Sequence, residues 1–153
     1  MITVRTATAA DLDGVVASCT ALFAEDAAQR DPLRNQSWPA TYAGGWASGL
    51  LADPESLVLV ATTDDAVVGH LIGKFLPASE MWIAPRAELI SMYVRPEVRG
   101  GGGAGQLIEA FADWARQRGA ARLEVDAYAS NERALRVYER HGFRPHSIQL
   151  TTD

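Results

Sequence analysis

The chain has 153 residues, 48% of them apolar and 22% charged, with a formal net charge of −5, a balance that suits one domain with a buried core and argues against a disordered or fibrous chain. The negative charge, with no basic stripe carrying interleaved aromatics, speaks against nucleic acid as a partner. No apolar run approaches the roughly 18 residues of a membrane span, and the opening MITVRTATAADLDG lacks a basic segment followed by an apolar one, so the sequence predicts a cytoplasmic protein without membrane attachment.

In chain order, Ile2, Val4 and Thr6 alternate with Thr3 and Arg5, the period-2 pattern of a short strand. Ala10 to Gln29 carries Leu12, Val15, Val16, Cys19, Leu22 and Phe23 at helical spacing, with Thr8 or Asp11 placed as cap. Cys19, the single cysteine, falls on the apolar stripe and reads as a buried structural thiol. Arg30 to Pro39 reads as a loop, and Thr41 to Ala52 as a glycine-interrupted helix. Ser56 to Ala61 and Val67 to Phe75 form a hairpin signal around Thr62 to Ala66.

After an irregular segment from Leu76 to Arg86, Glu88 to Val94 reads as a strand. A glycine turn and a helix through Arg118 follow, stopped by Gly119. Leu123 to Ala127 is a further strand, Asn131 to His141 a second amphipathic helix ended by Gly142, and Phe143 to Thr151 a final strand. No repeat or linker divides residues 1–153, so a single domain is expected. The order of elements predicts a mixed α/β (α+β) sheet with flanking helices, not a regular βαβ array.

The chemistry concentrates in Arg99-Gly100-Gly101-Gly102-Gly103-Ala104-Gly105. Helix N-termini leave backbone N–H groups unpaired and carry partial positive charge, which seats phosphate oxygens. Leu107, Ile108, Phe111, Trp114 and Ala115 give the following helix an apolar face that anchors the turn. The P-loop pattern fails because its Lys and Ser/Thr positions hold Gln106 and Leu107. A dinucleotide fingerprint is matched by Gly100, Gly102 and Gly105 with Glu124 or Asp126 downstream. Arg95 to Arg99 separate it from its strand, however, and about fifty residues follow it, too few for paired mononucleotide halves. The third pattern, [Gln/Arg]-x-x-Gly-x-[Gly/Ala], is met by Arg99, Gly102 and Ala104.

With that turn come a strand ending Met92-Tyr93-Val94, the run Asn131-Glu132-Arg133-Ala134, and Tyr138-Glu139-Arg140-His141-Gly142-Phe143. Together, over a little more than a third of the chain, they resemble the core of the GNAT superfamily of acyl-CoA-dependent N-acyltransferases. Ala104 stands where a second glycine is more usual, and Gly101 and Gly103 where larger residues are common. The resemblance implies a mostly antiparallel sheet with two splayed parallel strands, and acetyl-CoA as co-substrate. Its pantetheine would lie against Met92, Tyr93 and Val94, its pyrophosphate on residues 99–105, and Asn131 would contact it. Tyr138 would serve as general acid to the leaving thiolate, and Glu88, on the thioester strand, is the candidate general base.

Glu25, Asp26, Asp31, Glu80 and His70 are weaker candidates for the base. His141, at a helix end, reads as structural. The three His and one Cys are not at ligand spacing, so no metal is expected. Met1 to Pro85 holds 4 Lys+Arg against 10 Asp+Glu and Arg86 to Asp153 holds 10 against 9. The acidic half, with Trp38, Trp46 and Trp82, suggests an aromatic, negatively charged pocket over residues 23–46 and 76–86. The expected acceptor is a small-molecule primary amine, attacked directly in a ternary complex. A protein or peptide acceptor and a non-catalytic acyl-CoA-binding module are the alternatives, and a homodimer is compatible with any of them.

Overall fold

The computed structural model describes residues 1–152. The strands are β1 (Thr3–Thr6), β2 (Ser56–Thr63), β3 (Ala66–Leu76), β4 (Arg86–Val94) and β5 (Arg122–Val125), in one sheet of spatial order β1-β2-β3-β4-β5. The first three pairings are antiparallel and β4–β5 is parallel, the mixed α/β sheet expected. The helices are α1 (Leu12–Glu25), α2 (Ala27–Arg30), α3 (Trp38–Ala52), α4 (Gly103–Gln117) and α5 (Glu132–Arg140). Among the described residues, no helix is long and apolar enough to cross a membrane.

Strand alternation sorts the apolar residues into two cores, one on each face of the sheet. Leu57, Leu59, Leu71, Ala87 and Leu89 meet Leu107, Ile108 and Phe111 of α4. Val58, Val60 and Ile72 meet Val15 and Cys19 of α1 and Ala47 of α3. Each fully buried Leu, Ile or Phe contributes about 1.5–3 kcal/mol. The β2–β3 hairpin turns through Asp64 and Asp65, both at positive φ, a conformation Asp tolerates better than most side chains.

Of the two predicted caps, Thr8 and Asp11 form a capping box on the 3₁₀ turn Ala9–Asp11 ahead of α1, and Asp11 makes no side-chain cap bond to α1 itself. Arg5 grips Asp11 with two hydrogen bonds of 2.7 and 2.9 Å. That contact and the Thr8 N–H hold the Asp11 carboxyl down at about 2.

Three sequence expectations need correction. The helix over Ala10 to Gln29 is two helices, broken at Asp26 (φ −112, ψ −83), whose carboxylate bonds Arg30 and Asn131. The helix over Thr41 to Ala52 begins earlier, at Trp38, because Pro39 suits a first helical turn.

The strand over Phe143 to Thr151 does not form. Phe143 docks, its N–H donating to the Tyr138 carbonyl at 3.1 Å, but residues 144–152 are exposed and make no backbone hydrogen bond. Alternation at Ile148 and Leu150 supplies a face but no partner, Pro145 lacks a donor, and β5 offers an edge of only 4 residues.

Candidate functional site

β4 changes character halfway along. Arg86 to Leu89 pair with β3 on one side and with Arg122 to Val125 of β5 on the other. The β5 ladder then stops, while the β3 ladder continues through Ser91, Met92, Tyr93 and Val94. At the division the register steps from Gly73↔Leu89 to Ile72↔Ser91, leaving Ile90 as an extra residue, a β-bulge that redirects the strand. From Ile90 to Val94 the backbone groups that face β5 therefore have no strand partner. These residues include all three of the predicted strand positions, Met92, Tyr93 and Val94.

A single 3₁₀ turn, Pro96–Val98, links this bare half to the glycine turn. Gly100 and Gly102 have φ of 89° and 85°, where a Cβ would strain the backbone. Gly102 is the N-cap of α4. The N–H groups of Gly102, Gly103, Ala104 and Gly105 donate to no backbone carbonyl, so four donors converge where the helix dipole is positive. Free amides in this arrangement suit an anion.

Across the gap, α5 begins at Asn131, whose Oδ1 accepts the Ala134 N–H at 3.1 Å and whose Nδ2 donates to Asp26 at 3.1 Å. Asn131 is thus a helix cap and a link to the α1–α2 corner. Tyr138, on the same helix, is buried with its ring edge to face with Phe143. Burial, with the Asp26 carboxylate adding to it, pushes its hydroxyl up to about 12. The group is protonated at neutral pH.

Glu88 lies in the doubly paired half of β4, opposite Lys74 of β3 and Glu124 of β5. Glu124 is taken up by Arg86 and Arg122. Burial raises the Glu88 pKa above the usual carboxylate range, and Asp126 and Glu124 raise it further against Arg86 and Lys74. A carboxylate so placed is more basic than an exposed one.

Arg99 opens the glycine turn, and its side chain pairs outside it. Its guanidinium folds back from the turn, Nε donating to the Val94 carbonyl at 2.9 Å and Nη2 lying 2.8 Å from Glu25 Oε1. The Tyr93 hydroxyl donates to Glu25 at 2.9 Å and Arg133 at 2.7 Å. One carboxylate at the end of α1 thereby gathers β4, the glycine turn and α5. Burial opposes ionisation of Glu25, but the bonds from Arg133, Tyr93 and Arg99 prevail and hold its pKa below the usual range.

The aromatic pocket is not assembled as expected. Trp38 and Trp46 pack edge to face on α3, centroids 5.5 Å apart, while Trp82 carries the Arg86 guanidinium 3.5 Å above its ring. A groove of about 430 Å³ opens between α1 and α3, lined by Val16, Thr20, Phe23 and Pro39 among others, and shares no residue with β4, the turn or α5. Asp31 closes a local turn onto the Leu33 N–H.

The acetyltransferase (GNAT) family model matches residues 17–143. The chain belongs to the GNAT acetyltransferase family. Among solved structures it is similar to a transcriptional regulator from Bacillus halodurans, at 25% identity and TM-score 0.79, covering 100% of this chain and 99% of that one. The aminoglycoside N-acetyltransferase AAC(6')-Iy, in complex with CoA, is 17% identical with TM-score 0.77, over 100% and 94% of the two chains. A ribosomal-protein-alanine N-acetyltransferase from Brucella melitensis is 22% identical with TM-score 0.73, over 100% and 99%. No curated protein matches.

For this GNAT chain, the sequence named Glu25 and His70 as weaker base candidates but gave no sign of the partners that the fold brings to them. Arg133 gave no signal beyond its place beside Asn131, and Glu25 was weighed as a base, not as the acceptor of three hydrogen bonds. His70 lies fully buried between Ser18 of α1 and Ser91 of β4. In the sequence His70 is a weaker base candidate within the apolar run Val67 to Phe75, with nothing to indicate Ser18 or Ser91 as partners.

Proposed function

We propose that the chain transfers an acetyl group from acetyl-CoA to the primary amine of a small molecule, by direct attack in a ternary complex. The observation that carries this reading is the half-bare strand, Ile90 to Val94, running into the free amides of Gly102 to Gly105. A pantetheine arm pairs with such an edge like an added strand, and a pyrophosphate suits four converging N–H groups. On this reading the N–H groups near Met92 and Val94 hold the pantetheine and the thioester carbonyl. The donor to the developing oxyanion is worth about 3 kcal/mol in comparable sites.

The amine nitrogen attacks the thioester carbon, the C–S bond breaks as the amide forms, and the amine proton leaves towards Glu88. At about 3.3 Å per residue, four residues separate Glu88 from Met92 by roughly 13 Å, so water relays this proton. Tyr138, protonated at neutral pH, donates to the departing thiolate. The acidic N-terminal half and the aminoglycoside acetyltransferase of like fold support a cationic small-molecule acceptor.

The test is calorimetric binding of acetyl-CoA and of NAD, followed by free-thiol release with aminoglycosides, polyamines and peptides bearing free N-termini. Acetyl-CoA is expected to bind, NAD to fail, and a small amine to support turnover. An absence of acetyl-CoA affinity overturns the reading. Turnover on peptides alone changes the acceptor class, and binding without turnover on any amine leaves a non-catalytic module. Turnover should also rise with pH as the Glu88 carboxyl ionises above the usual carboxylate range. Glu88→Gln should remove that limb, and a profile identical to wild type excludes Glu88 as base.

A further inference from the structure

His70 is an unusual residue to find at zero exposure, because a buried imidazole is costly unless both ring nitrogens are satisfied. Here they are. Nδ1 lies 2.5 Å from Ser18 Oγ on α1, and Nε2 lies 2.7 Å from Ser91 Oγ on β4 and 3.6 Å from Cys19 Sγ. A neutral ring has one N–H and one lone pair, so it donates to one hydroxyl and accepts from the other. Burial keeps it neutral, holding its pKa down at about 3. The ring is therefore a rigid strut between helix and strand.

The position of the strut matters more than its energy. Ser91 is the first residue after the bulge at Ile90, where β4 has just lost β5 as a neighbour. From there to Val94 the backbone is held by β3 on one side only, and the next residue is Met92. The Cys19 thiol, also on α1, hydrogen-bonds Ser91 as well, so the polar ties to this point of the strand all run through Ser91. Tyr93, two residues beyond Ser91, is tied in turn to Glu25 at the end of the same α1 helix.

We infer that His70 and Ser91 are positioning residues that set the direction of the bare half of β4, and so aim the amides near Met92 at the thioester carbonyl. This role rests on the acyl-CoA reading above. It makes no direct contact with cofactor or acceptor and acts through the strand backbone.

The substitutions that test it are Ser91→Val and Ser91→Thr, close in shape but differing in the hydroxyl that meets His70. Two probes are titrated against each: acetyl-CoA, which needs the strand, and 3′-phospho-ADP, which carries the nucleotide and pyrophosphate but no pantetheine. The expected result is that Ser91→Val weakens acetyl-CoA binding about tenfold relative to Ser91→Thr, the scale of one buried hydrogen bond. Binding of 3′-phospho-ADP should stay level in both. Equal behaviour of the two variants, or equal weakening of both probes, overturns the positioning role and leaves His70 a packing residue.

If Ser91→Val does not fold, Ser18→Ala cuts the strut at its helix end. It should show the same selective loss at smaller size, and an unselective loss or none again overturns the role. A wild-type protein with no affinity for acetyl-CoA would remove the acyl-CoA reading itself and this role with it. Normal wild-type binding with matching variants would remove the positioning role alone.

Discussion

The two halves of β4 are continuous in sequence and opposite in purpose. Arg86 to Leu89 have a strand on either side, and Ala87 and Leu89 press into the core against Phe111. Ile90 to Val94 have a strand on one side, and their polar side-chain ties run to α1 through His70 and Glu25. The first half is held by burial and ladder hydrogen bonds. The second keeps its ladder to β3 alone and is tied to α1 by a few directed polar contacts, which leave its other edge uncovered. The lesson is that one strand can anchor a sheet over half its length and leave an open edge over the rest, provided a bulge separates the two.

The comparison is broken most severely from the paired half. Phe111→Ala empties a fully buried site beneath Leu89 and should cost about 3–5 kcal/mol in chemical denaturation. A loss under 1 kcal/mol would mean that the paired half does not depend on this core.

In the bare half the expected losses are of function. Tyr138→Phe keeps the ring against Phe143 and should lower turnover by about 10²-fold or more, with acetyl-CoA affinity and denaturation midpoint near wild type. A wild-type rate removes Tyr138 as acid. Gly102→Val places a β-branched residue at φ 85°, a strain of about 1–2 kcal/mol. Acetyl-CoA affinity should fall about tenfold, and unchanged affinity in a calorimetric titration would detach the turn from the cofactor.

The smallest effect belongs to the Glu25 corner. Its partners Arg99 and Arg133 are partly exposed, and such pairs contribute roughly 0–1 kcal/mol each. Glu25→Gln should move the denaturation midpoint little. Its readout is pH: Glu25 is held below the usual carboxylate range when folded, so its contribution is present above the unfolded pKa and lost as pH falls through the folded one. The variant should lack that step in an acid titration of stability. A wild-type step would show that the corner carries no linkage.

Legibility in the sequence followed the range of the interaction. Leu107, Ile108 and Phe111 repeat at helical spacing and pack as one face, and Asn131 caps α5 as its residue type suggests. These signals lie within one element and survive reading residue by residue. Glu25 and Arg99 are separated by many residues and belong to different elements, so the bond between them leaves no local pattern. The same holds for His70 with Ser18 and Ser91. The tail shows the converse: Ile148 and Leu150 alternate as a strand would, yet alternation states only what a segment can do when it meets an edge.

By itself, then, the sequence determined the hairpin, the amphipathic helices, the glycine turn and the family, because helix period, strand period and the steric freedom of glycine are local properties. Tertiary structure alone decided where β5 stops beside β4, that Ile90 becomes a bulge, and that the Arg99 guanidinium turns to Glu25. Those outcomes depend on which distant groups arrive within hydrogen-bonding reach, and directional bonds of about 3 Å are settled only once the sheet and helices have packed.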